Sequence, residues 1–382
     1  MYGFVPGHTP YAIPAHRRAA RIALLGGLAL WIGVALAPCV ARASIPQAER
    51  NTLIALYTST NGNGWTKNTN WCGSTCPLTG TPLFNVSATE CTWYGVTCDG
   101  MQSHVISIVL TTNNLSGGLP SLTQLTSLQG FDVGNNKLTG DIPTLAGLTN
   151  LSYFGVDNND LTDGIPALAG LTNLKYVYVY NNQLSGSIPA LDGLTNLQDF
   201  LVFGNQLTGN IPVLTSLTNL AQLNASYNQL NGNIPSLTGL MNLRIFDVDH
   251  NQLTGNLPAL TGLTNLYYFA TYNNNLSGTI PALSAGLEYF FVDHNQFTGG
   301  VPSTTGLPFL SYFRVGFNQL TGSVPAAFGS LSIPVSTLCP NPLDTTPSPN
   351  DTGWNTATGY TSWWATPYPN NNCDDLFTNR FE

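Results

Sequence analysis

The chain is 382 residues long, with 8% charged and 43% hydrophobic residues, 38 Gly, 25 Pro and 7 Cys. A typical soluble domain is about 25% charged, so polarity here resides in uncharged Asn, Thr, Ser and Gly, which excludes a coiled coil, a charge-rich helix bundle and an acidic disordered tail. Against 19 Asp+Glu stand 11 Lys+Arg, with no basic cluster beyond the first 21 residues, so the electrostatic footprint of a nucleic-acid partner is missing.

The chain opens with His16, Arg17, Arg18 and Arg21, then the apolar run Ile22 to Ala37 and the small-x-small triplet Ala41-Arg42-Ala43. That order is the pattern of an export signal. Residues 1–43 are therefore expected to be a signal peptide, with a retained anchor or a twin-arginine signal at Arg17-Arg18 as alternatives. The run is shorter than the roughly 20 apolar residues that span a bilayer, and no transmembrane segment is expected after cleavage. The expected localisation is secreted or cell surface. The mature chain would keep six cysteines, Cys72, Cys76, Cys91, Cys98, Cys339 and Cys373, an even number that favours disulfides over metal in an exported protein. Chain order suggests Cys72 with Cys76, Cys91 with Cys98 and Cys339 with Cys373, although six cysteines allow fifteen connectivities.

From residue 105 a period of 23 takes over. Prolines preceded by an aliphatic residue stand at 120, 143, 166, 189, 212, 235, 258, 281, 302 and 325, with one step of 21. In the row LKYVYVYNNQLSGSIPALDGLTN (174–196), Val177 and Val179 alternate with Tyr176, Tyr178 and Tyr180, the pattern of a strand with one buried face. Leu174, Leu184 and Ile188 complete an inward set that one row cannot bury alone but stacked rows can. Asn at 113, 136, 159, 182, 205, 228, 251, 274, 295 and 318 follows each strand, where a short amide satisfies backbone groups of a bend. Proline has no N–H and suits a segment outside the central ladder.

These rows carry the L-x-x-L-x-L-x-x-N-x-L pattern, and L-T-G-x-I-P at Leu207 to Pro212 resembles the plant-type leucine-rich repeat. The resemblance extends upstream, where ERNTLIALYTSTNGNGWTKNTNW and CTWYGVTC, within Glu49 to Cys98, are similar to that family's N-terminal cap. Downstream, LCPNPL (338–343) and WNTATGYTSWW (354–364) resemble the closing cap of bacterial secreted members. Departures are Asp163 in place of the usual Gly, a row at 266 that is two residues short, and the extra pair Cys72 and Cys76. The resemblance implies a curved leucine-rich-repeat solenoid of about ten repeats with a parallel β-sheet on its concave side. The implied organisation is a cap with a helix and disulfides at 44–104, repeats at 105–332, a cysteine-bearing cap at 333–373 and a tail at 374–382.

In the family's strand motif the third, fifth, seventh and eighth positions point outward. Here they hold two aromatic sets, Tyr153, Tyr176, Tyr178, Tyr180 and Phe203, then Tyr268, Tyr272, Tyr289, Phe291 and Tyr312. Between and beside them stand Asp247, Asp249 and Asp293. Rigid rings and phenol hydroxyls suit an extended recognition groove for a protein, peptide or glycan, and the aspartates favour a neutral or cationic ligand. The competing account is that Tyr and Phe merely ladder between adjacent strands. The Asp249-His250 and Asp293-His294 pairs invite an acid–base reading, but adjacent strand residues face opposite ways unless the bend turns the histidine outward. Asp247-x-Asp249-x-Asn251 imitates a calcium loop yet has Gln252 and Pro258 where Gly and Glu are needed. No catalytic residue, metal or cofactor is expected. The functional expectation is a non-enzymatic recognition protein, with a structural or adhesive spacer as the alternative and the oligomeric state open.

Overall fold

The structure, a computed structural model, describes residues 44–72, 83–326, 335–338, 341–343 and 348–358. The expected signal peptide and tail lie outside the described residues, as do Cys76, Cys339, Cys373, Trp363 and Trp364.

Among the described residues, twelve strands make one sheet, from Val96–Cys98 to Val335–Thr337. Val96–Cys98 pairs antiparallel with Val105–Val109, and the later pairs are parallel. The sequence period becomes the register directly, since Tyr153, Tyr176, Asp199 and Gln222 stand side by side on successive strands. Short parallel strands such as Thr254–Gly255 and Asn275–Thr279 form separate small sheets. They end just before the prolines, so the missing proline N–H falls outside both ladders.

The inward set is buried as the alternation requires. Leu174, Val177, Val179, Leu184 and Ile188 all belong to one continuous core. Between rows the same position repeats, and Phe246, Phe269, Phe290 and Phe313 stack at centroid spacings of 5.5 to 5.8 Å. Each such side chain contributes about 1.5–3 kcal/mol of burial, and contacts only adjacent rungs, so stability accumulates by stacking.

The asparagine series works as an internal ladder. Asn205 Nδ2 donates to the carbonyls of Val179, Val202 and Phe203 at 3.1 to 3.3 Å, and its Oδ1 accepts the Leu184 N–H at 3.0 Å. Asn228 repeats those contacts one rung on. The series also runs one step further than expected, because Asn341 donates to Val315 and Leu338 and accepts from Leu320. Replacing Asn205 or Asn228 by Ala orphans these backbone groups, and each variant is expected to lose about 1–3 kcal/mol. Thermal unfolding followed by circular dichroism tests this, and unchanged melting of both variants rules out a structural ladder.

Two departures in the repeat are absorbed locally. Asp163 takes φ 59°, the conformation held by Gly140 and Gly186 in neighbouring rows, and Asp tolerates that left-handed region better than most residues. The short row keeps Tyr268 opposite Tyr289. Its missing residues fall outside the sheet, where Ser284 Oγ bonds the Leu263 carbonyl at 2.7 Å.

At the N-terminal end, helix Gln47–Ser59 packs Leu53, Leu56 and Tyr57 with Trp65, Trp71 and Trp93. Buried Glu49 accepts from His104 Nδ1 at 2.6 Å and from the Val105 N–H at 2.7 Å, tying the helix to the first strands. Cys91 and Cys98 form the expected disulfide. Cys72 is disulfide-bonded as well, and its expected partner Cys76 lies outside the described residues. At the other end Trp354, on helix Asp351–Thr358, is buried against Phe313 and donates to the Pro325 carbonyl at 2.7 Å.

Candidate functional site

The face opposite the core is built from alternate residues of each strand and divides into two halves. In the first half the rings touch one another and remain half-buried. Tyr153 contacts Tyr176 and Tyr178 at 6.1 and 5.4 Å, Tyr178 contacts Tyr180 at 6.4 Å, and Tyr180 stacks on Phe203 at 4.4 Å with planes 8° apart. The hydroxyls are fixed too. Tyr176 donates to Gln198 at 2.8 Å and Tyr178 to Asp199 at 2.9 Å. Burial, and secondarily Asp199, raises the Tyr178 phenol above its ordinary range, so it stays a neutral donor.

In the second half Tyr268, Tyr272, Tyr289, Phe291 and Tyr312 form another set of ring contacts, closed by Tyr289 and Tyr312 stacked at 4.6 Å. Burial, followed by Glu288, pushes the Tyr289 phenol up to about 12. Tyr289 and Tyr312 are half-buried, but Tyr268 and Phe291 are buried. The carboxylates are buried as well, with Asp247 6%, Asp249 3% and Asp293 1% exposed. This corrects the expectation that Asp249 and Asp293 stand at exposed strand positions. Alternation sets the side of the sheet, whereas depth depends on the neighbours, and here Tyr272 bonds Asp249 and Arg314 pairs with Asp293. Arg314 donates to Asp293 Oδ2 at 2.5 Å and lies 5.2 and 5.3 Å from the Tyr272 and Phe291 ring centres. The competing account of laddered rings is thus realised in geometry, alongside polar groups that face the same side.

Both histidines are turned onto this face. His250 and His294 take φ 47° and 53°, and this left-handed bend brings each Nδ1 to the preceding aspartate, at 3.2 Å for Asp249 and 3.0 Å for Asp293. His250 Nε2 meets Asn273 at 2.7 Å and the ring stacks on Tyr227 at 4.1 Å. His294 stacks on Phe317 at 4.0 Å.

The bend exposes a column at the eighth motif position, one of those expected to point outward, namely Asn158, Asn181, Tyr227, His250, Asn273, His294 and Phe317, each at positive φ. Bulky side chains seldom adopt that conformation, and stacking or amide bonds such as Asn181 to Asn158 at 2.8 Å hold them there. The available signal was positional: each stands immediately before a ladder asparagine. Among the described residues no three His, Cys, Asp or Glu side chains gather as a metal site. No helix among them is long and apolar enough to cross a membrane.

No protein-family model matches the sequence. Solved structures do match. PEPR1–AtPEP1 is 30% identical with TM-score 0.66, over 78% of this chain and 42% of that one. The plant peptide hormone receptor RGFR1 in complex with RGF2 is 29% identical with TM-score 0.60, over 68% and 43%. The leucine-rich-repeat ectodomain of the Arabidopsis receptor kinase HAESA, in complex with an N-terminally extended IDA peptide hormone ligand, is 26% identical with TM-score 0.57, over 78% and 50%. The chain spans half or less of each of these structures. Its parallel-sheet solenoid with a period of about 23 residues has the leucine-rich-repeat fold that these plant receptor ectodomains share.

Proposed function

We propose that this chain is an exported, non-enzymatic recognition protein that binds an extended peptide along the face lined by Tyr153, Tyr176, Tyr178, Tyr180 and Phe203. The observation that carries this reading is the half-buried tyrosine wall, whose rings are held by neighbours and whose hydroxyls are oriented by Gln198 and Asp199. Pre-ordered rings lose little entropy on binding, which is how aromatic contacts come to dominate interfaces. Peptide is favoured over glycan or folded protein because RGFR1 and HAESA carry peptide hormone partners in their solved complexes. The second half, with Tyr268, Tyr272, Tyr289, Phe291, Tyr312 and the aspartates, extends the same surface. The Trp-rich segment from Gln47 to Cys98 and the segment holding Trp354 act as caps, and residues 1–43 act as the export signal of a bacterial secreted chain.

The Tyr176→Ala/Tyr178→Ala double variant is expected to weaken binding of a peptide selected from a random display library by about 2 kcal/mol or more. Trp354→Ala serves as the comparison, and its expected effect is lower melting temperature with affinity retained in the folded fraction. Calorimetric affinity and thermal melting of the two variants separate the roles. Unaltered affinity in the tyrosine variant, for every selected peptide, removes this face as the site and leaves a structural or adhesive spacer.

A further inference from the structure

One strand of the tyrosine wall has no side chain at a central outward position. Gly155 stands between Asp132 and Tyr178 on the adjacent strands, and the same column continues through Leu201 and Asn224. From Val109 to Arg314 along that column, Gly155 is the only glycine. Its φ lies outside the left-handed region, so the backbone conformation does not call for glycine. Glycine inside a strand weakens it, and the usual compensation is that another group approaches closely.

The approaching group is Tyr153, two residues earlier on the same strand. A Cβ placed on residue 155 would lie 2.8 Å from Tyr153 Cε1, and 3.1 Å from both the Tyr153 hydroxyl oxygen and Asp132 Oδ1. The Tyr153 ring therefore occupies space that any side chain at 155 would claim, and there its hydroxyl bonds Asp132. In that position the ring meets Tyr178 edge-on at 5.4 Å and Tyr176 at 6.1 Å. Burial first, then the charges of Asp132 and Asp157, hold the Tyr153 phenol above its ordinary range. One rung back the fit is as close, because a Cβ on Gly134 would lie 2.7 Å from Asp157 Oδ1.

We propose that Gly155 is a positioning residue of the tyrosine wall: having no side chain, it lets the Tyr153 ring lie across its own strand, bonded to Asp132 and braced by Tyr178, and so fixes the first ring that a bound peptide meets. The assignment rests on the reading of this face as the peptide-binding surface and adds a determinant of affinity that need not touch the ligand. A methyl group at 155 is compatible with the backbone there, but it drives the free end of Tyr153 away from Asp132. The ring must then be ordered again when a peptide binds, and affinity falls by that cost.

The test compares Gly155→Ala, Tyr153→Ala and the double variant, using peptides selected on the unmodified protein from a random display library. Gly155→Ala is expected to weaken binding about tenfold. Once Tyr153→Ala has removed the ring, adding Gly155→Ala is expected to change affinity by less than about twofold. Alkaline titration of tyrosines labelled with 13C at Cζ, followed by NMR, reads the ring itself, and loss of one signal in Tyr153→Phe assigns it. In the unmodified protein Tyr153 stays protonated to about pH 11, whereas in Gly155→Ala it ionises closer to the ordinary phenol value of about 10. If Gly155→Ala also lowers the melting temperature, a loss confined to proteins that retain Tyr153 supports the assignment, and a loss independent of Tyr153 overturns it. Unchanged affinity, an unchanged Tyr153 titration, or equal weakening with and without the Tyr153 ring likewise overturns it. If it fails while Tyr176→Ala/Tyr178→Ala still weakens selected peptides, peptide binding on this face stands without Gly155. If that tyrosine variant binds unchanged, the peptide reading fails, and the Tyr153 titration alone decides whether Gly155 positions the ring.

Discussion

Replacing Phe290 by alanine lowers stability by about 3–5 kcal/mol, the range for truncating a fully buried aromatic residue. Phe290 stacks between Phe269 and Phe313 at 5.8 Å on either side, with planes 13° and 21° apart. The row continues to Phe246 at one end and to Trp354 at the other. Because a solenoid rung touches only its neighbours, the cavity cannot be filled by a distant segment, and both adjacent interfaces loosen together. Tyr289→Ala on the same strand removes a side chain of similar size from the half-buried face and provides the control. Denaturant titration should show the larger loss at Phe290, and hydrogen exchange should locate the extra opening in the rungs from Phe269 to Phe313. Equal losses for the two variants mean that the inward and outward sides of this strand have been exchanged.

The origin of that row was legible in the sequence, because Phe246, Phe269, Phe290 and Phe313 fall on the inward positions of a repeat whose period fixes the strand register. The asparagine ladder was legible for the same reason. A residue that must satisfy the same backbone groups in every turn has to recur at the same position, and Asn205 and Asn228 make nearly identical bonds. Asn341 obeys the step of 23 from Asn318, but the cysteine and prolines around it obscured the continuing rung.

The outward face of the sheet was legible only as a list of side chains. Alternation distinguishes two sides of a strand but says nothing of depth, which is decided by what the adjacent rungs carry. Asp249 and Asp293 are submerged because Tyr272 stands between them and Arg314 folds back over Tyr272 and Phe291. The histidines were legible through their position in the repeat rather than through alternation. A strict period of two sends His250 and His294 inward, and only the left-handed bend reverses them. That conformation is usual for Asn at the same position in neighbouring rows, so the place of His250 in the repeat, immediately before a ladder asparagine, is what marks it as outward.

Burial changes what a substitution at Asp293 should do. An exposed aspartate would tolerate replacement with little effect, as its strand position alone suggests. In the structure its Oδ2 receives Arg314 at 2.5 Å and His294 at 3.0 Å, and the arginine side chain is itself only 17% exposed. Removing one partner of a buried ion pair leaves the other charge uncompensated, so Asp293→Ala is expected to cost about 3–5 kcal/mol, towards the lower end because the Arg314 end of the pair retains some contact with water. Arg314→Met keeps much of the side-chain volume over Tyr272 and Phe291 while discarding the charge. In the Asp293→Ala background it should therefore restore part of the lost stability. A double-mutant cycle measured by denaturant titration reads that coupling directly, and strictly additive losses would show that the Asp293–Arg314 contact contributes no net stability in solution.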